Sequence, residues 1–155
     1  MATKGKKWFS ALKTLYNPSN LSDTHRSLVT PRPSTRKPKS GVESERRAQQ
    51  RLVQWLYEEG IIFFSVPNGA NVTPHHRQTL LSEGLSPGMV DLVIPIPSRG
   101  YHSLYLELKR EDGGVISPEQ KKWIEVLNYH GHRAIVCRGF EKAKQEIEWY
   151  LNEGI

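Results

Sequence analysis

The pattern of hydrophobic and polar positions predicts a compact series of helices and strands after residue 42. Ala48, Leu52, Trp55 and Leu56 recur at the spacing of one helix face, which predicts an amphipathic helix over residues 43–59. Short apolar runs between turn-forming residues predict strands, and two later helical patterns follow the same logic. The further predicted elements are strands at 61–66, 90–96, 102–109 and 132–138, a helix between Ser117 and Gly131, and a helix at 140–151.

The order α-β-β-β-α-β-α predicts a single α/β domain over residues 42–155. The stretch between the first two strands, residues 67–88, is rich in Gly, Pro, Asn and Ser, and is expected to be a loop with one helical turn near residues 77–82. The strand over 61–66 is expected to be short and buried, because its sequence is almost entirely apolar.

Residues 1–41 have a different composition and are predicted to form a basic, largely flexible arm. Residues 1–40 hold nine of the 22 Lys and Arg residues but one of the 16 Asp and Glu residues, so the net charge of +6 comes from this segment. The proline-rich, basic stretch 30–40 has too little apolar area to form a core. Residues 8–16 have helical apolar spacing, which indicates a short basic amphipathic helix.

The third predicted strand carries the strongest candidate chemistry. Its side chains alternate, so Leu104, Leu106 and Leu108 face one side while Glu107 and Lys109 face the other. A hairpin through the turn at 97–100 would bring Asp91 close to Glu107. Two nearby carboxylates repel unless a cation lies between them, and oxygen ligands suit Mg²⁺. A neighbouring lysine suits a reaction that gathers negative charge, such as phosphodiester hydrolysis.

Two polar residues on helices add to this set. Glu45 lies on the apolar stripe of the first helix, where an unpaired carboxylate is unfavourable, although compensation of the helix dipole is an alternative explanation. Gln120 lies on the inner side of its helix, and a capping box with Ser117 is the alternative explanation for it. An exposed Glu-x-Lys pair on a strand is commonly only solvated surface. The prediction of a functional site therefore depends on polar residues from several elements lying close together.

The same residues resemble a known family over residues 43–151. The order and spacing of the motifs are similar to those of the VRR-NUC domain, a branch of the PD-(D/E)xK nuclease superfamily. The matching positions are Glu45, Gln49 and Trp55, then Pro67-Asn68-Gly69, Pro87-Gly88-Met89-Val90-Asp91-Leu92, Leu106-Glu107-Leu108-Lys109, Gly114-Val115-Ile116-Ser117-Pro118-Glu119-Gln120, Trp123 and Gly131. Val90 departs from the proline of the superfamily name, with little expected consequence.

The resemblance implies a restriction-endonuclease-like core with a mixed four-stranded sheet flanked by helices. It implies that Asp91, Glu107 and the backbone carbonyl of Leu108 bind Mg²⁺ or Mn²⁺, that Lys109 is catalytic, and that Glu45 and Gln120 assist. It further implies an endonuclease acting on DNA, with branched or four-way junction DNA as the substrate of small phage-type or prophage-type members. Some such members are homodimers, and a bacterial host would make the location cytoplasmic.

Nucleic-acid contacts are expected from the arm and from the loop between the first two strands. The residues concerned are Lys4, Lys6, Lys7, Arg32, Arg36, Lys37, Lys39, Asn68, His75 and Arg77. The arm is expected to supply most of the salt-dependent affinity. One cysteine, Cys137, excludes an internal disulfide, and no apolar run approaches the length of a membrane span. Two other functions remain open: a non-catalytic nucleic-acid-binding module, or a partner-binding adaptor that uses residues 8–16.

Overall fold

The structure is a computed structural model, and it describes residues 41–66 and 73–152. The described helices are α1 (Glu45–Glu58), α2 (Pro74–Ser82), α3 (Pro118–Tyr129) and α4 (Gly139–Leu151). The described strands are β1 (Phe64–Ser65), β2 (Leu92–Ile94), β3 (Leu104–Lys109) and β4 (Arg133–Arg138). The predicted order of the main elements and the α/β class are confirmed.

The four strands form one mixed sheet in the order β1-β2-β3-β4. β1 pairs with β2 and β2 with β3 in antiparallel fashion, whereas β3 and β4 are parallel. The parallel pair is joined through α3, as a crossover between parallel strands requires. The antiparallel pairing of β2 with β3 brings the segment before β2 beside the end of β3.

One face of the sheet carries the hydrophobic core. Leu104, Leu106 and Leu108 are almost completely buried there, among apolar side chains of α1 and α4. α3 lies on the other side of the sheet, since its Gln120 side chain donates to Glu107, which alternates with the leucines along β3. At the edge of the sheet, Asn128 of α3 bonds both backbone groups of Ala134. The sheet therefore has an apolar face under α1 and α4, and a second face that α3 partly covers.

The first strand is shorter and more exposed than the sequence predicts. β1 contains only Phe64 and Ser65, and both are exposed. Ile61 is buried, but its N–H donates to the Leu56 carbonyl at 2.9 Å, so it closes the end of α1. The predicted strand is present, but it is limited to two exposed residues at the sheet edge, and the buried residues of the run, Ile61 and Phe63, precede it.

The segment before β2 contains more helix than predicted. α2 extends over nine residues rather than one turn, with Thr73 capping its start by accepting a hydrogen bond from the His76 N–H at 3.3 Å. His75 and Arg77 therefore lie on an exposed helix rather than in a loop. Residues 1–40 of the expected arm, and Asn68, lie outside the described residues. Within the described part of the chain, no helix has the length and apolar character that crossing a bilayer requires.

Candidate active site

Asp91 and Glu107 lie on the same side of the sheet. In the antiparallel pairing of β2 with β3, Leu92 is the partner of Leu106, so the flanking Asp91 and Glu107 both point away from the leucine face. Asp91 stands immediately before β2, and its Oδ2 accepts a hydrogen bond from the Leu108 N–H at 3.0 Å. The proximity of two acidic groups that the sequence predicts is therefore present in the fold.

Glu107 is the most deeply buried polar residue of this group, with 0% of its surface exposed. Its Oε1 accepts a hydrogen bond from Lys109 Nζ at 2.6 Å and another from the Gln120 side-chain amide. Its Oε2 is also buried, and no hydrogen-bond partner for it occurs among the described residues. A buried carboxylate oxygen without a donor is unfavourable, so it marks a position where a ligand would stabilise the protein.

Lys109 joins the acidic residues of the site. Besides Glu107, its Nζ lies 3.9 Å from Glu45 Oε1, which comes from the first turn of α1. The aliphatic part of Lys109 packs against Gly114, where an added Cβ would lie 3.2 Å from both Lys109 Cβ and Cδ. The position of Lys109 is therefore fixed in two ways. Glu107 and Glu45 attract its ammonium group, and Gly114 packs against its aliphatic chain.

The loop that carries Gly114 is a support that the sequence did not reveal. The guanidinium of Arg138, at the end of β4, donates to the carbonyls of Gly113 and Gly114. Both glycines have positive φ, at 158° and 91°, and at Gly114 this conformation is one that other residues rarely adopt. In the sequence, the two adjacent glycines indicate a place where the backbone comes close to another group. That Arg138 binds them becomes apparent only from the pairing of β3 with β4, which places Arg138 beside Lys109.

The charges of the site change the pKa values of its acids. Burial raises the pKa of Glu107 from 4.5 to about 7, the Lys109 hydrogen bond opposes this change, and the charge of Asp91 adds to it. Burial likewise raises the pKa of Asp91, although the Leu108 N–H and Lys109 favour its charged form. Burial acts to lower the pKa of Lys109, but Glu107, Glu45 and Asp91 outweigh it and the pKa is raised. Lys109 is therefore cationic at neutral pH, while Glu107 is harder to ionise than an exposed glutamate.

Gln120 has both of the roles considered from the sequence. Its Oε1 accepts from the Ser117 N–H at 2.9 Å, and the Ser117 Oγ accepts from the Gln120 N–H at 3.2 Å, which completes the capping box of α3. Its Nε2 donates to Glu107 at the same time. The capping box thus fixes the side-chain amide of Gln120, and the Nε2 of the same amide binds the Glu107 carboxylate.

The structure brings five predicted residues together and leaves the others apart. Asp91, Glu107, Lys109, Glu45 and Gln120 are linked by the contacts above, and Leu108 supplies the N–H that binds Asp91. His75 and Arg77 lie on the exposed surface of α2, with no recorded contact to these five residues. Asn68 and the seven arm residues lie outside the described ranges, so their part in binding stays a prediction.

The donor set fits a hard divalent cation bound mainly by water. In the described ranges, no group of three or more His, Cys, Asp or Glu is placed to hold one metal ion. Asp91 and Glu107 form a pair of carboxylates, and Glu45 reaches the site through Lys109. Mg²⁺ commonly uses one or two protein carboxylates and keeps several waters, so a pair suffices for it. The unpartnered Glu107 Oε2 is the oxygen that such an ion would satisfy.

The fold and the site together define an α/β protein with a buried carboxylate–lysine centre on a mixed sheet. The sequence model of the VRR-NUC domain matches residues 43–141, and the chain belongs to this family, whose domain is of the nuclease type. A solved structure described as a VRR_NUC domain protein is similar in fold, with a TM-score of 0.61 and 24% sequence identity over 72% of this chain and 92% of that one. No protein with a curated description matches this chain.

Proposed function

We propose that this protein is a divalent-metal-dependent endonuclease that hydrolyses DNA phosphodiester bonds, with Mg²⁺ or Mn²⁺ as its cofactor. The observation that carries the proposal is the buried Glu107 Oε2, which has no donor within the described structure although Asp91 and Lys109 lie beside it. A site that served only stability would be expected to satisfy this oxygen. Membership of a nuclease-type family supports the same reaction class.

Each residue of the site has a distinct task in this proposal. Asp91 and Glu107 would hold the ion. The family resemblance implies the Leu108 carbonyl as a further ligand, and Glu45, which reaches the site through Lys109, would help to hold the ion or its water. When bound, the ion supplies Lewis-acid stabilisation of the phosphate and lowers the pKa of water. Lys109 places a fixed positive charge where negative charge develops on the phosphate, and Gln120 orients Glu107.

Substrate geometry is the finer part of the proposal. The resemblance to small family members favours branched DNA, including four-way junctions, and a homodimer suits two symmetric cuts. The arm adds phosphate contacts in this scheme, so deletion of residues 1–40 should flatten the dependence of affinity on salt. An unchanged slope would assign those contacts to the folded domain, and sedimentation of the full chain tests the dimer.

A panel of linear, flapped and four-way junction DNA tests the reaction. Cleavage is measured with Mg²⁺, with Mn²⁺ and with EDTA, for the wild type, Asp91→Ala and Asp112→Ala. Asp112 is a matched control, because it is an exposed aspartate whose recorded partner is Arg110 at 4.0 Å. We expect metal-dependent cutting by the wild type and by Asp112→Ala, and none by Asp91→Ala.

Two outcomes would contradict the proposal. Inactivity of the folded wild type on every substrate, combined with tight DNA binding, would favour the non-catalytic binding module. Full activity of Asp91→Ala would move the reaction away from this site. Preference for one member of the panel then assigns the substrate geometry.

A further inference from the structure

The segment that leads to Asp91 lies directly against the first turn of α3. Ser86 to Met89 form a turn, in which the Met89 N–H donates to the Ser86 carbonyl at 3.3 Å. Gly88 occupies the position of this turn that needs positive φ, at 79°. A Cβ on Gly88 would lie 2.5 Å from Glu119 Cβ and 2.9 Å from the Gln120 nitrogen. The backbone of the turn therefore touches the helix with no room for a side chain.

Trp123 fastens this turn to the helix. Its indole Nε1 donates a hydrogen bond to the Pro87 carbonyl at 3.2 Å. Trp123 stands three residues after Gln120, so the two side chains lie on the same face of α3. One helix face consequently contacts both acidic segments, since Gln120 binds Glu107 and Trp123 binds the turn that ends two residues before Asp91.

We propose that Trp123 is a positioning residue that sets the place of the Asp91 carboxylate and thereby the affinity of the site for a divalent cation. Asp91 lies three residues after Gly88, and the Leu108 N–H is its recorded hydrogen-bond donor. The hydrogen bond from the Leu108 N–H fixes the Asp91 carboxylate only if the backbone of Asp91 stays in place. The Trp123–Pro87 bond and the Gly88 contact hold the Ser86–Met89 turn against α3, and this turn is the start of the segment that leads to Asp91. The inference rests on the proposed function, because it assumes that Asp91 is a metal ligand.

The substitution Trp123→Phe tests the inference, because it keeps an aromatic ring and removes the indole donor. Binding of Mn²⁺ to the full chain is measured by titration calorimetry, and thermal unfolding is measured in EDTA. We expect affinity for Mn²⁺ to fall about 3- to 10-fold, the factor that corresponds to one neutral hydrogen bond. The Mn²⁺ concentration for half-maximal cleavage should rise by the same factor.

Trp55→Phe is the matched control, because Trp55 lies on α1 and its ring contacts Lys144 rather than the site. Its Mn²⁺ affinity should stay at the wild-type level, even where its unfolding temperature falls through lost packing against the core. An equal loss of affinity in both variants would overturn the inference, since a general packing effect would then explain it.

Gly88→Ala tests the same contact without altering Trp123. The added methyl group would collide with the backbone of α3, and an alanine would be strained at the positive φ of this position. The affinity for Mn²⁺ should therefore fall more than in Trp123→Phe. Wild-type affinity in both variants would overturn the role of the turn and leave the proposed function standing. Absence of Mn²⁺ binding by the wild type would instead refute the proposed function.

Discussion

Each face of β3 buries a side chain completely, but with opposite energetic consequences on the two faces. Leu106 and its neighbour Glu107 are both 0% exposed, one among apolar groups of the core and the other among charged groups. Burial of a leucine stabilises the fold by about 1.5–3 kcal/mol. Burial of a carboxylate is unfavourable unless partners compensate it, and only one of the two Glu107 oxygens has partners among the described residues.

This difference separates what holds the fold from what would perform the reaction. The leucine face gains stability by excluding water, and it packs against apolar residues of α1 and α4. The polar face keeps Glu107, Lys109 and Asp91 close together despite their desolvation, which raises the pKa of both acids. Substitutions on one face should therefore change stability, and substitutions on the other should change activity and metal affinity.

The largest expected effect is on activity in Glu107→Gln. The amide oxygen keeps an acceptor for Lys109 and Gln120, but the negative charge that would hold the cation is lost. Metal-dependent cleavage should fall by about 10³-fold or more. Urea unfolding of the metal-free protein should change by less than about 1 kcal/mol, because a desolvated charge has been removed while hydrogen bonding is kept. Retained cleavage would show that Glu107 is not part of the reactive centre.

Leu106→Ala should lower stability and leave activity unchanged, the reverse of the result expected for Glu107→Gln. It removes a fully buried side chain from the core, and such changes lower the free energy of unfolding by about 2–5 kcal/mol. Activity per folded molecule should stay near the wild-type level at a temperature well below the transition. Urea unfolding monitored by tryptophan fluorescence gives the first quantity, and cleavage rates at low temperature give the second. A loss of activity without a loss of stability would erase the distinction between the faces.

The sequence predicted this division of β3 better than it predicted the surroundings. Strict alternation of three leucines with Glu107 and Lys109 indicates two faces, because the period of a strand is local. Burial of Glu107 was not apparent, since it depends on tertiary contacts such as that with Gln120 of α3, which lies 13 residues away along the chain. The same limit explains the strand at 61–66: hydrophobicity indicates burial but does not distinguish a helix terminus from a strand.

The dependence of the free energy of unfolding on pH tests the burial of Glu107. The expected effect is smaller than that of the substitutions above, but it is specific to groups with a changed pKa. Burial raises the pKa of Glu107 to about 7 in the folded protein, whereas the ordinary value for an exposed glutamate is 4.5. The folded state therefore binds more protons between these values, and the free energy of unfolding should fall as pH rises through them. The slope contributed by this one group is at most about 1.4 kcal/mol per pH unit.

Denaturant titrations of the metal-free protein in EDTA, from pH 5 to pH 8, measure this slope. Glu107→Gln should reduce it, leaving the smaller contribution of Asp91, whose pKa is also raised. Cation binding requires the charged carboxylates, so Mn²⁺ affinity should rise over the same range. Equal slopes in the wild type and the variant would place the titrating group elsewhere.

The smallest effects should come from the cap of α3, where stability and site geometry share one residue. Ser117→Ala and Gln120→Met each remove one half of the capping box, and each should lower the free energy of unfolding by about 1 kcal/mol. Only Gln120→Met also removes the donor to Glu107, so only this variant should bind Mn²⁺ more weakly, by about 10-fold. Equal Mn²⁺ affinities in the two variants, at equal stability, would reduce Gln120 to a helix cap and would leave the orientation of Glu107 to Lys109 alone.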